Sequence, residues 1–319
     1  MSGGPAKDDD SVGGTQRIRR LVKPVMMVIG LGFVVFAAWD IVQRWESGTV
    51  HVVWLPALLS LIPLFVGSLI QGFGWIALIG RMSGRRVPAG PSLALYLDSQ
   101  LARYTPGKVG LPLVRMAGAD RVGVPAARIG SSIGVEMLSW LSVGSVVGFA
   151  LLLGTGHLAP GVARVLGRWS PPLIAASLAG VLVLLLVDQR RYPGFVRRIL
   201  GAQGEGALVP LRLPLVHVLY WSTWAVHGYL ASRAIGADPR SALAGMGLYV
   251  LAPLGGFIAL AAPAGVGVRE AILSVGLASS TGSAAALSAA AISRAASLVG
   301  DIGAWLVVRP FGRGSVSRA

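Results

Sequence analysis

The chain has no cysteine. A disulfide framework, a thiolate zinc site and a cysteine nucleophile are therefore excluded. Charge is scarce as well. Only 13% of the 319 residues are Asp, Glu, Lys or Arg, against about 25% in a soluble domain. Acidic groups are the scarcer sign, 13 against 28 Lys and Arg, which gives a formal net charge of +15. Polar stretches are no longer than loops, so no soluble domain fits. A Gly-x-x-x-x-Gly-Lys-Ser/Thr phosphate loop is missing, which argues against an ATP-driven pump within this chain. No His-Glu-x-x-His pair occurs either. Nothing in the sequence calls for a metal or another cofactor.

What is abundant is apolar. Hydrophobic residues make up 54% of the chain, and the mean hydropathy is +0.70. Long apolar runs of this kind define a polytopic membrane protein. The cations cluster at the ends of those runs rather than on one soluble face. That is the positive-inside pattern, reinforced by attraction to anionic headgroups, and it replaces a nucleic-acid reading of the charge.

The layout that follows is all-α, with about six spans of ~20 residues. Their approximate bounds are Val22 to Trp39, Trp54 to Ile79, Ile129 to Leu153, Pro171 to Val187, Leu213 to Ile235 and Ala284 to Val308. Residues 1–16 read as a disordered cytoplasmic tail, in which Asp8, Asp9 and Asp10 form a solvated charge run. Residues 17–310 form one transmembrane domain, with half one at 22–188 and half two at 212–308. Residues 311–319 form a second cytoplasmic tail. Most Lys and Arg fall on the cytoplasmic side; Arg44, Arg164, Arg168, Arg233 and Arg240 are the external exceptions.

Two stretches interrupt this pattern. In Arg103-Tyr104-Thr105-Pro106-Gly107-Lys108-Val109-Gly110, Pro106 removes a backbone donor and the glycines loosen the chain, so a helix should break. The apolar arm before it, Ser92 to Ala102, is too short to cross. In Pro263-Ala264-Gly265-Val266-Gly267-Val268-Arg269-Glu270 the same composition recurs, and Pro253, Gly255 and Gly256 predict a further break inside Ala242 to Ala262. Both stretches read as re-entrant hairpins, inserted from opposite sides, as in an inverted repeat. Broken backbone at membrane depth is tolerated only inside protein or along a wet cavity.

Charge at those breaks marks a candidate site. Backbone donors at the first tip, with Arg103, Lys108 and Arg115, suit a phosphate or another anion. Tyr104, Pro106 and Gly107 shape that tip. Gly265, Gly267 and Arg269 are their counterparts at the second. Glu136, Glu270, Arg294 and Asp301 are costly in apolar surroundings and need partners. A network across helices would satisfy them, either as a lock between helices or as a charge-coupling set that takes up protons. His217 and His227, ten residues apart, are too distant along one helix to share a metal, and read as interhelical hydrogen-bonding groups. Tyr220, Trp221 and Trp224 read as a packing set.

The stretch Ser99-Gln100-Leu101-Ala102-Arg103-Tyr104-Thr105-Pro106-Gly107-Lys108-Val109-Gly110 resembles the lysylphosphatidylglycerol synthase transmembrane-region family. Glu136 and the Pro263 to Glu270 stretch extend the resemblance over most of the chain. In bifunctional members such a region is joined to a cytosolic aminoacyl-transfer domain, and the membrane part is regarded as a flippase. With no such domain in this sequence, the resemblance implies lipid translocation rather than lipid lysylation. Some stand-alone members are linked to glycosyltransferases that use polyprenyl-phosphate carriers. The expected partners are therefore the membrane itself and anionic or polyprenyl-phosphate lipids, with no nucleic acid. A homodimer and a partner lipid-modifying enzyme both stay open. A transferase acting on a lipid phosphate, or an accessory subunit of one, is the alternative function. The expected location is the bacterial cytoplasmic (inner) membrane, with both termini in the cytoplasm.

Overall fold

A computed structural model describes residues 52–103, 109–155, 212–259 and 267–313, with helical backbone also at 39, 43, 175–177 and 179. The N-terminal tail, the first and fourth spans and the loop between the halves otherwise lie outside the described residues, as do 104–108 and 260–266. Among the described residues the structure is all-α. The helices are α1 (Trp54–Leu59), α2 (Leu61–Ser83), α3 (Ala89–Ala102), α4 (Gly110–Ala117), α5 (Ala119–Val122), α6 (Ala126–Thr155), α7 (Arg212–Ala234), α8 (Pro239–Ile258), α9 (Val268–Thr281) and α10 (Ser283–Val308). A 3-10 turn over Arg309–Arg313 follows.

Four helical stretches are long and apolar enough to cross a membrane: Trp54–Ser83, Ala126–Thr155, Pro239–Ile258 and Ser283–Gly312. Three of them hold 30 residues. At 1.5 Å per residue that is about 45 Å, more than the ~30 Å hydrocarbon layer, so tilt or projecting ends are required. Their outer faces carry Leu55, Leu58, Ile62, Phe73, Leu138, Leu153 and Leu306 in the open. Apolar groups so exposed suit lipid and not water.

A helix ends just before the first expected break, whereas a helix runs through the break expected inside Ala242 to Ala262. Helix α3 ends at Ala102 and α4 starts at Gly110, and the two short helices pack together. Helix α8, in contrast, runs unbroken through Pro253, Gly255 and Gly256 to Ile258. The expected internal break is therefore absent, and the helix ends only at Ala259. Pro253 withholds one ladder bond, a loss that a helix packed in a bundle tolerates. At its other end α8 starts from an Asp238 cap whose carboxylate accepts from the amides of Arg240 (2.9 Å) and Ser241 (3.2 Å). Hydrogen bonding from Ser241, side chain first and amide next, lowers the Asp238 pKa from its ordinary value.

Helix α10 ties the molecule together. Its Ala304 and Val308 enter the core around α3, where Trp75, Leu95, Tyr96 and Ile129 are buried. Its Ala286, Ala289 and Ala290 enter the core around α8 and α9. Its Ala296 enters the aromatic cluster between them, formed by Tyr220, Trp221 and Trp224. Trp221 packs against Trp140 with ring centroids 4.7 Å apart and planes tilted by 41°, and donates its Nε1–H to the Trp140 carbonyl (3.0 Å). An alanine-rich helix suits this role, since small residues let backbones approach and give van der Waals contact where lipid removes the hydrophobic drive.

Helices α6 and α8 approach each other closely. A Cβ placed on Gly247 would stand 2.7 Å from the Gly148 carbonyl oxygen. That neighbour is backbone and cannot swing aside. Gly247→Ala should therefore cost ~1–3 kcal/mol by overpacking, seen as a lower unfolding temperature in detergent. Gly134→Ala, where nothing lies within 4 Å of the added carbon, should leave that temperature unchanged or raise it. Equal behaviour of the two variants would contradict the packing account.

Candidate functional site

The site is built from helices that bring polar groups inward. Along α3, Tyr96, Ser99, Gln100 and Arg103 recur at three- and four-residue steps, which puts them on one face. The Tyr96 hydroxyl lies 2.8 Å from Gln71 Oε1 and 3.1 Å from Glu136 Oε1. Ser99 Oγ accepts from Arg115 Nε at 3.0 Å and donates to the Tyr96 carbonyl at 2.5 Å. Arg115 also donates from Nη1 to Glu136 in an ion pair. Its guanidinium carbon sits over Tyr96 (4.5 Å) and Trp75 (4.9 Å). Arg115 has 0% exposure and Glu136 5%. The guanidinium thus lies against two neighbouring aromatic rings, 5.9 Å apart, and donates to a hydroxyl and a carboxylate.

Helix α10 supplies the opposing wall through Ser293, Arg294, Ser297 and Asp301, again at helical spacing. Asp301 pairs with Arg103 Nη2 at 2.5 Å and accepts from Ser68 Oγ at 3.0 Å. Arg294 pairs with Glu270 at 3.1 Å. Glu270 in turn accepts from the Gly267 amide at 2.8 Å, so it caps α9 while it answers Arg294. Gly267 has φ of +86°, a conformation that favours glycine. Arg269 donates to Ser293 Oγ (2.7 Å), the Ser293 carbonyl (3.0 Å) and Ser297 Oγ (3.3 Å), and lies over the Trp224 ring at 4.9 Å.

Between these walls is a cavity of about 340 Å³. Arg103, Arg269 and Arg294 line it, together with Glu136, Gln71 and Gln100. Leu111, Ile133, Met137, Trp140, Pro253 and Phe257 form the apolar part of its wall. Three guanidinium groups against one carboxylate make the lining cationic, and the remaining wall suits hydrocarbon.

Of the residues singled out in the sequence, Arg103, Glu136, Arg269 and Arg294 meet at this cavity. Arg115, Glu270 and Asp301 stand directly behind, each paired with one of the charged groups in the lining. Tyr104, Pro106, Gly107, Lys108 and Gly265 lie outside the described residues. Sequence reasoning missed Gln71, Tyr96 and Gln100. Gln71 had a usable signal, a lone amide in an otherwise apolar span. Tyr96 and the serines of α10 had none, because hydroxyls are common in packed helices. The two histidines form interhelical hydrogen bonds, His217 with Ser139 Oγ at 2.7 Å and His227 with Ser60 and Ser293. Among the described residues, no group of three or more His, Asp or Glu could hold a metal ion.

Long apolar helices, lipid-suited outer faces and paired charges at depth define a multi-pass α-helical membrane protein with an internal polar site. The chain matches the family described as the lysylphosphatidylglycerol synthase TM region over residues 24–302, and it belongs to that family. No curated protein matches it.

The Arg115–Glu136 pair gives a stability prediction. Removing one partner of a buried pair leaves an unanswered charge and costs ~3–5 kcal/mol, whereas apolar replacement of both is often neutral. Glu136→Ala should therefore unfold at a markedly lower temperature than wild type. Arg115→Met combined with Glu136→Leu should recover most of the loss. A double variant as unstable as the sum of the singles would show that the two side chains do not act as a unit.

Proposed function

We propose that this protein moves a phosphate-bearing lipid between membrane leaflets. The observation that carries the reading is the cavity itself, in which Arg103, Arg269 and Arg294 face a largely apolar wall between helices long enough to span. An amphiphile is the ligand such a lining fits. Its phosphate meets guanidinium groups, which bind the anion through paired N–H donors. Its chains stay against the hydrocarbon-like wall or in surrounding lipid. Membership of a family named for a lipid-modifying synthase supports a lipid substrate. Lys108, which follows Arg103 by five residues in the sequence, adds a further cation to this reading.

The carboxylates have a defined part in it. Asp301 and Glu270 pair with Arg103 and Arg294. A bound phosphate competes for the same guanidinium groups, so headgroup entry loosens the contacts of α3 and α9 with α10, and headgroup exit restores them. Alternating exposure to the two leaflets follows from that exchange, with the termini on the cytoplasmic side of a bacterial inner membrane.

The test is reconstitution in liposomes carrying headgroup-labelled phosphatidylglycerol, with dithionite as a membrane-impermeant quencher. Wild type should allow quenching beyond the outer-leaflet half. Arg269→Gln and Lys108→Ala should slow that excess at least about tenfold, the loss expected for one charge-assisted hydrogen bond of ~1.5 kcal/mol or more. Outer-leaflet quenching alone with wild type, for both phosphatidylglycerol and a polyprenyl-phosphate probe, would refute unaided translocation. New lipid products on adding donor substrates would point to the transferase alternative.

A further inference from the structure

His227 is fully buried on α7 and lines no part of the cavity. Its two ring nitrogens nevertheless have fixed and different partners. Nδ1 lies 3.0 Å from the carbonyl oxygen of Ser60, the residue that joins α1 to α2. A carbonyl can only accept, so Nδ1 carries the proton. Nε2 lies 2.9 Å from Ser293 Oγ. Ser293 Oγ already accepts from Arg269 Nη2 at 2.7 Å. The hydroxyl proton of Ser293 is then directed to Nε2, which accepts it as a neutral imidazole nitrogen. The result is a directed chain from Arg269 through Ser293 and His227 to the Ser60 carbonyl. It joins α9, α10, α7 and the α1–α2 junction. Trp224 lies edge-on to the imidazole at 5.8 Å and also lies under the Arg269 guanidinium.

We infer that His227 is a positioning residue for the anion site, acting on Arg269 through Ser293. The inference rests on the reading of the cavity as a phosphate site. With His227 as acceptor, the Ser293 hydroxyl turns its lone pairs toward Arg269 and holds the guanidinium in one orientation over Trp224. Without that acceptor the hydroxyl is free to rotate, and it presents its proton toward the same guanidinium in part of its population. Arg269 then loses a hydrogen bond and its fixed aim into the cavity. Preorganisation of this kind acts on affinity more than on stability.

The test uses full-length protein in detergent micelles. Dihexanoyl-phosphatidylglycerol is the binding probe, read by titration calorimetry, and thermal unfolding is read in parallel. His227→Phe should weaken probe binding about tenfold, and His227→Gln, whose amide oxygen can accept from Ser293, should restore most of the affinity. Ser293→Ala should weaken binding similarly, and the double variant His227→Phe with Ser293→Ala should lose no more than either single, since both cut one chain. If His227→Phe does not fold, the Ser293→Ala and His227→Gln pair carries the same comparison. Independently of any ligand, nitrogen NMR of histidine-labelled protein should show a neutral His227 protonated at Nδ1. A folded His227→Phe with wild-type affinity, strictly additive losses, or a proton on Nε2 would each overturn the positioning role. Absence of probe binding by wild type would remove the phosphate site and with it this role; the NMR signal would then mark a structural contact alone.

Discussion

A guanidinium group inside a membrane protein keeps its charge and has to be answered where it stands. That constraint organises the interior of this chain. Arg115 is answered by Glu136, Arg294 by Glu270 and Arg103 by Asp301. Each pair crosses between helices, so each charge that needs an answer also fixes how two helices dock. Desolvation offsets much of the Coulombic gain in such pairs. Their effect is therefore more on which arrangement is adopted than on how stable it is, and the van der Waals packing of small residues carries the stability.

The pairs are not equivalent in position. Arg115 is wholly enclosed, against two rings, a hydroxyl and a carboxylate. It acts as a fixed floor that holds Glu136 and, through Ser99, the end of α3. Arg103 and Arg294 face the cavity with one side and their carboxylates with another. With Arg269 they are the guanidinium groups that line the cavity. The site thus combines an enclosed pair held by α4 and α6 with two cavity-facing pairs that each have one member on α10. A single helix that bears Ser293, Arg294, Ser297 and Asp301 on one side contacts Arg103 at the end of α3 and Arg269 and Glu270 at the start of α9.

Much of this was legible in the chain. The absence of polar domains, the apolar runs and the position of the cations give a polytopic helical protein without reference to any contact. Pro106 with Gly107 and Gly110 marks the gap between α3 and α4, because proline removes a donor and glycine removes the restraint on the backbone. The same argument failed at Pro253. There α8 continues through the proline inside the packed bundle. A proline states what one residue cannot donate; whether the helix stops depends on what is packed beside it.

The charged residues show the same division. From sequence alone, Glu136, Arg269, Glu270, Arg294 and Asp301 had to find partners, because an unanswered charge in an apolar medium is costly wherever the chain places it. Which residue answers which could not be read, since each pair joins positions far apart in the chain: 103 with 301, 115 with 136, 270 with 294. The assignment of Arg269 to serines and a tryptophan, and of His227 to a chain behind it, is of the same kind. Composition and local pattern determined that the chain enters a membrane, that a helix ends ahead of Pro106, and which charged groups need partners. Tertiary packing alone decided how those groups combine into one cationic cavity, because hydrogen-bond partners are chosen by proximity in space, and the sequence encodes that proximity only through the whole fold.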